Sequence, residues 1–288
     1  GYVYPRREVC SQMELAERLA ENIRLIQKQR PLIHQITNQV TMQDCANITL
    51  AIGASPVMAN APEEAAEVTV HAKALVLNLG TLQPRSAEAM LLAGKVAKAQ
   101  GIPIVLDPVG VGATRLRQQT AARLLTACPP DIIRGNLAEI AALAGQTIAS
   151  PGVDALTEAA QAAETACFLA KKLHCVVAVS GETDWIASPE HQAASLHNGV
   201  PMLRLVTGTG CMSSSLIGCA AAVSSAWEAA ITGLACMGIA GELAAASLTP
   251  SQGTGSFRTG LFDAVSTLTG AALRQHLRLQ LSALSGGA

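Results

Sequence analysis

Short apolar runs alternate with amphipathic, alanine-rich stretches along most of this chain, and the spacing within each determines the element it predicts. Residues 11–30 place Leu15, Leu19, Ile23 and Ile26 on one face at helical spacing, with Ser11 as a candidate N-cap. Strands are predicted at Leu32–Thr37, Ala74–Leu79, Ile102–Leu106, Ile132–Ile133 and Cys175–Ser180. Helices are predicted at Val40–Ile52, Pro84–Ala99, Arg115–Ala127 and most of Val153–Leu173. Continuous β-branched runs bounded by helices are what a parallel sheet covered on both faces requires. After Ser180 the pattern changes. Trp185–Ala187, Ala194–His197 and Leu203–Val206 follow one another without helices between them, which predicts antiparallel strands at an edge of the sheet. The remainder reads as nearly all helix. No repeat, low-complexity tract or linker divides the chain, so a single α/β domain over residues 1–288 is expected, with a helical extension at 1–30 and a flexible tail at 283–288.

Composition narrows the function. Lys and Arg number 20 against 21 Asp and Glu, for a net charge of −1, and only 2% of residues are aromatic. Nucleic-acid binding wants a basic face and stacking rings, so no nucleic-acid partner is expected. A charged fraction of 14% with a mean hydropathy of +0.32 excludes a disordered chain. So thin a cover of charge predicts an oligomer that buries an apolar patch. The eight cysteines include no pair at zinc-knuckle or redox spacing, which predicts reduced thiols in a cytoplasmic protein. No secretory signal is expected, because residues 1–30 are charged throughout. Leu205–Trp227 carries no charge and is long enough to span a bilayer, but it opens on a glycine turn and holds Ser213, Ser214 and Ser215. A buried helix of a soluble protein is the expectation there, and no membrane partner.

In an open parallel sheet the ligand lies beyond the carboxyl ends of the strands, so the informative residues should follow the strands. Asp107 follows Ile104-Val105-Leu106 and precedes a Gly-rich turn; it is either a magnesium acid or a turn-forming Asp-Pro. In Arg134-Gly135-Asn136-Leu137-Ala138-Glu139, Arg134 could grip phosphate and Glu139 help place magnesium, while Asn136 and Glu139 also have the spacing of a capping box. Val206-Thr207-Gly208-Thr209-Gly210-Cys211 reads as a strand running through two glycines into an apolar helix. That combination favours an anion at free N–H groups over a dinucleotide fold, since Ser213 replaces the third glycine. Cys211 at the helix start is either a small buried filler or a thiolate favoured by the helix dipole. Asn38 offers a donor and an acceptor to a small polar ligand. Met58 is either core filler or a soft contact for a ring; Pro5–Cys167 contains no aromatic residue, so a heterocycle bound there would meet aliphatic groups and sulfur. The histidines show no ligand spacing and receive no role.

Taken together, "ITNQV", "GASPVM", "LNLGTL", "IVLDPVG", "RGNLAEI", "VSGETD" and "VTGTGC", in this order from about Pro31 to about Phe257, resemble the hydroxyethylthiazole kinases of thiamin salvage, within the ribokinase-like superfamily. The resemblance implies a three-layer α/β fold without a lid, its mostly parallel central sheet carrying helices on both faces. It implies a homotrimer with active sites at subunit interfaces, ATP as co-substrate, Mg²⁺, and phosphorylation of the hydroxyl of 4-methyl-5-(2-hydroxyethyl)thiazole. Carried over by motif, Met58, Asn38 and Gly208 serve the thiazole; Arg134, Ser180 and Gly210 serve ATP; Asp107 and Glu139 serve the metal; and Cys211 takes the catalytic place held by Asp in many relatives. Ser180 stands where the family often has Thr, and keeps the hydroxyl. The alternatives are a hydroxymethylpyrimidine kinase, an ATP-dependent NAD(P)H-hydrate dehydratase, and a non-catalytic oligomer that binds thiazole or nucleotide. Cysteine rather than Asp at 211 disfavours the first two, and the magnesium acids disfavour the third.

Overall fold

The computed structural model describes residues 11–147, 155–190 and 192–283. Residues 1–10 of the expected N-terminal extension, and nearly all of the expected tail, lie outside them. A sheet of nine strands, in the order β2-β1-β3-β4-β5-β6-β7-β8-β9, divides the structure into layers. Strands β1 (Leu32–Ile36), β2 (Ser55–Val57), β3 (Ala74–Asn78), β4 (Ile104–Asp107), β5 (Ile132–Asn136) and β6 (Val176–Ser180) are parallel. Strands β7 (Asp184–Ala187), β8 (Gln192–Leu196) and β9 (Leu279–Ala283) extend the sheet antiparallel. Every described strand belongs to this sheet, so no separate lid sheet stands over it among the described residues.

Side chains alternate across the strands into two cores. Val76, Val105, Ile132 and Ala178 face one layer; Leu77, Leu106, Ile133 and Val179 face the other. The first layer consists of α1 (Gln12–Gln29), α2 (Met42–Ile52), α8 (Thr209–Ala221), α9 (Ala226–Ala246), α10 (Thr254–Ser266) and α11 (Gly270–His276). The second consists of α3 (Pro62–Thr69), α4 (Pro84–Gln100), α5 (Arg115–Ala127), α6 (Leu137–Ala144) and α7 (Ala155–Leu173). Helix α1 follows its sequence signals closely. Ser11 and Glu14 close a capping box, Leu15, Leu19, Ile23 and Ile26 are fully buried, and Arg30 ends the helix in the left-handed region.

Three expectations need correction. Leu203–Val206 is not a strand: Pro201–Leu205 forms a 3₁₀ turn, with Pro201 at its first position, where a fixed φ and a missing N–H cost nothing. The third antiparallel strand is β9, from the far end of the chain, where the sequence had suggested helix; Leu279 pairs with Leu196. The buried helix expected after the glycine turn is α8, but it ends at Ala221, so Trp227 belongs to α9 instead. The one described helix long and apolar enough to cross a membrane is α9, and most of it is buried inside the protein. Its glycines permit this. A Cβ on Gly233 would lie 2.5 Å from Ile217, so α8 and α9 touch backbone to backbone there.

Candidate active site

Strands β1, β3, β4, β5 and β6 end side by side, and the polar residues at their carboxyl ends meet the first turn of α8. Asn38, just beyond β1, accepts from the Thr41 backbone N–H and hydroxyl, both at 3.0 Å. Its amide nitrogen donates to Asn78 Oδ1 at 3.1 Å and to Cys211 Sγ at 3.3 Å. Asn78, the last residue of β3, accepts from Gly80 N–H at 2.9 Å and donates to Asp107 Oδ2 at 3.2 Å and to Cys211 Sγ at 3.3 Å. Asp107 Oδ2, at the end of β4, also accepts from the Ser214 hydroxyl at 2.8 Å and from Arg134 at 3.3 Å. The second amine of Arg134 donates to Ser180 Oγ at 2.6 Å. A continuous hydrogen-bonded chain therefore joins five strands and one helix.

The two glycines of the turn have local causes. Gly208 caps α8 at φ +88°, and a Cβ there would lie 2.4 Å from a methyl of Thr41. A Cβ on Gly210 would lie 2.6 Å from the Arg134 guanidinium. The glycines thus bring α8 close enough for Cys211 and Ser214 to reach the strand ends. The segment entering the turn is the 3₁₀ turn instead of the expected strand.

Charge at the site is governed by burial. Asp107 is fully buried, which pushes its carboxyl up to about 6; Arg134 pulls the other way and the nearby Glu139 adds to the rise. Its Oδ1 has no partner. The Cys211 thiol is pushed above its ordinary range, first by burial and then by the charge of Asp107, against weaker lowering by hydrogen bonds and Arg134. Of the two readings of Cys211, desolvation and a neighbouring carboxylate favour the buried thiol over a thiolate held by the helix end. Glu139 completes the capping box of α6 with Asn136 and also accepts the Gly110 N–H at 3.0 Å, so its carboxylate is fixed against the turn that follows Asp107.

Beside this chain opens a cleft of about 520 Å³, lined by Arg134, Ser180, Asp184, Gly210, Leu203 and Met237 among others. Arg134, Ser180 and Gly210 thus share the cleft, while Asn38, Asp107 and Cys211 belong to the polar chain next to it and Gly208 packs against Thr41 beside that chain. Met58 lies apart from the cleft, half-buried at the carboxyl end of the edge strand β2. Its neighbour Ala59 is tied to β1 by His34, whose Nε2 is 2.7 Å from the Ala59 carbonyl. Reasoning from residues passed over Thr41, Asn78, Ser214 and Asp184. Asn78 and Asp184 lie inside "LNLGTL" and "VSGETD", where a polar residue next to a strand end was the available signal; Ser214, in an apolar helix, offered none.

Asp107 and Glu139 lie close enough to influence each other beside the cleft without lining it, and no cluster of three metal-ligating side chains occurs among the described residues. Such a donor set suits a cation that keeps its waters and borrows phosphate oxygens, as Mg²⁺ does, and Asp107 Oδ1 is a carboxylate oxygen without a partner.

Comparisons with known proteins agree with this geometry. The model of the "Hydroxyethylthiazole kinase family" matches residues 23–271. The hydroxyethylthiazole kinase of Methanocorpusculum labreanum is 46% identical, over 88% of this chain and 94% of its own length. The solved hydroxyethylthiazole kinase protein from Pyrococcus horikoshii superposes with a TM-score of 0.83 at 34% identity, covering 92% of this chain and 99% of that one. The Bacillus subtilis ADP/ATP-dependent NAD(P)H-hydrate dehydratase, at 13% identity and a TM-score of 0.53 over 91% and 93% of the two chains, shares the fold alone.

Proposed function

The chain belongs to the hydroxyethylthiazole kinase family and, as such, phosphorylates hydroxyethylthiazole at the expense of ATP, a step of thiamin salvage; on that premise we propose that the cleft takes the nucleotide and the chain around Cys211 takes the acceptor hydroxyl. The observation that carries this division is Arg134, which lies between the two regions, bonded to Asp107 on one side and to Ser180 on the other.

In this reading Arg134 and the Ser180 hydroxyl bind the phosphates of ATP, and the N-terminal turn of α8 at Gly210 stabilises charge on the transferred group. Asn38, Met58 and Gly208 hold the thiazole. Cys211 accepts the hydroxyl's hydrogen bond, aligns its oxygen and assists deprotonation modestly, since phosphoryl transfer depends mainly on positioning and electrostatics. Asp107 and Glu139 would hold Mg²⁺, which would neutralise phosphate charge there. Asp107 Oδ1 has no other partner to lose, which supports its place in this set.

The same reading takes the protein as a cytoplasmic homotrimer whose active sites lie at subunit boundaries. Val40, which is 64% exposed, follows Asn38 by two residues, and Leu205, which is 68% exposed, precedes Gly208 by three. Apolar side chains left open on both flanks of the substrate side favour a neighbouring subunit as their cover. The cysteines of the described residues are all free, which suits a reducing compartment.

The test is ADP release by the purified protein with hydroxyethylthiazole and Mg²⁺, hydroxymethylpyrimidine serving as control. Thiazole-dependent ADP is expected, and Arg134→Ala should raise KM for ATP far more than KM for thiazole. An equal effect on both would overturn the division between cleft and chain.

A further inference from the structure

Sulfur is a weak hydrogen-bond acceptor, yet Cys211 Sγ receives two N–H donors, from Asn38 and Asn78, each at 3.3 Å. Neither amide can turn round. Asn78 Oδ1 accepts from the Gly80 backbone N–H at 2.9 Å and from Asn38 at 3.1 Å, so a flipped amide would face donor against donor. Asn38 Oδ1 is held the same way by the two Thr41 donors. Both side chains are almost fully buried, at 1% exposure for Asn78 and 4% for Asn38, so water does not substitute for these bonds.

Asn78 spends all four of its side-chain hydrogen bonds in this arrangement: two accepted, one given to Asp107 Oδ2 at 3.2 Å, and one given to the sulfur. A side chain chosen only to satisfy Asp107 would need neither the sulfur contact nor the lock on its oxygen. We propose that Asn78 is a positioning residue of the reaction, holding the Cys211 sulfur as a hydrogen acceptor and separating it from the Asp107 carboxylate with a shared amide. The inference rests on Cys211 receiving the acceptor hydroxyl, as in the reading above. In the step it serves, the Cys211 thiol first gives its proton to solvent, and the thiolate so formed takes the hydroxyl proton: the O–H bond breaks and S–H forms. The oxygen then bonds to the γ-phosphorus, ADP leaves with the electrons of the broken P–O bond, and the thiol stands as it began. Hydrogen bonds from Thr41 and Asn78, with the charge of Arg134, favour charge on the sulfur against burial and Asp107, which both oppose it.

The experiment is iodoacetamide alkylation of the native enzyme at fixed pH, with Cys211 followed by peptide mass spectrometry, alongside steady-state kinetics. Asn78→Asp keeps the oxygen that Gly80 and Asn38 need but sets a carboxylate oxygen where the N–H faces sulfur, so Asn78→Ser, which removes that N–H without adding charge, separates loss of the donor from added repulsion. Expected for both is alkylation of Cys211 slowed about tenfold, the equivalent of one pH unit in thiol ionisation. A fall in kcat of similar size is expected, with KM for ATP little changed. A merely structural role predicts the opposite sign, since a loosened site exposes Cys211 and speeds its alkylation. Unchanged or faster alkylation in both variants would overturn the proposal. The alkylation result reads Asn78 without any turnover, so it is distinct from a failure of the kinase-site reading, which would appear as wild-type protein releasing no thiazole-dependent ADP.

Discussion

The parallel and antiparallel halves of the sheet each bury one carboxylate beside the cleft, and the two are treated very differently. Asp107, at the end of β4, has three side-chain donors on one oxygen and a guanidinium among them. Asp184, at the start of β7, accepts the Gly181 N–H at 3.0 Å. Burial raises both. It lifts Asp107 to about 6, with Arg134 as the leading opposing influence, and Asp184 to about 7, with the Gly181 N–H opposing first and Arg134 second. One half has gathered cationic and amide groups around a carboxylate from several strands and α8; the other merely tolerates an acid that fastens a turn. Chemistry in this fold belongs where many strands end together, because only there can donors from distant parts of the sequence converge.

Replacing the acid in the crowded half should have the largest effect. Asp107→Asn removes the charge that Arg134 and the proposed metal share, and kcat for thiazole-dependent ADP release should fall by about 10²–10³-fold. Turnover close to wild type would make Asp107 no different in kind from Asp184. Cys211→Ser keeps a hydroxyl in hydrogen-bond reach and should leave measurable turnover, reduced by no more than about 10²-fold. Complete loss with unchanged substrate binding would instead make the sulfur indispensable as a base. Gly210→Ala probes the boundary between the halves. Its Cβ would lie 2.6 Å from the Arg134 guanidinium, the movable end of a long side chain, so the fold should survive while Arg134 shifts from Asp107 and Ser180. KM for ATP should rise about tenfold, the value of one charged hydrogen bond, with melting temperature little affected.

The same contrast explains what could be read from sequence. Strands β1, β3, β4 and β6 were legible because a parallel strand buried on both faces needs an unbroken apolar run, and Leu32–Ile36 or Ala74–Asn78 provides one. Strand β9 was not, although Leu279-Gln280-Leu281-Ser282 alternates as a strand should, because the pattern is short and its partner β8 lies far away in sequence. The short edge strand β2, half-buried throughout, carries too little apolar signal in Ser55-Pro56-Val57. At the site, motif and strand end together located Asp107, Arg134, Ser180 and the glycine turn. Asn78 escaped because its task is defined by what surrounds it: an asparagine at a strand end is unremarkable until Gly80, Asn38, Asp107 and Cys211 are seen around it. The state of Cys211 stays open in the sequence for a related reason. Helix position is visible in sequence, whereas the burial and the Asp107 charge that dominate the thiol arise only from tertiary packing.

Asp184→Asn should disturb turnover least and still separate the two carboxylates. The folded protein holds the Asp184 proton up to about pH 7, against an ordinary value of 3.8, so the native state binds it more tightly than the unfolded chain does. Stability from this group is fully present below about pH 4 and is lost as the pH rises through 7, where the fold must carry a buried charge. Asparagine carries none, and its carbonyl can still accept the Gly181 N–H. The variant should therefore gain in melting temperature relative to wild type at pH 8 and gain less at pH 5, at under about 2 °C per kcal/mol for a chain of this length. The corresponding Asp107→Asn difference should have the same sign but end near pH 6, and be offset by the stranding of Arg134. Thermal melts of both variants at the two pH values decide the matter. If Asp184→Asn shifted the melting temperature equally at pH 5 and pH 8, the carboxylate would be ionised throughout that range, and the cleft's antiparallel wall would have to supply as much compensation as the crowded parallel side.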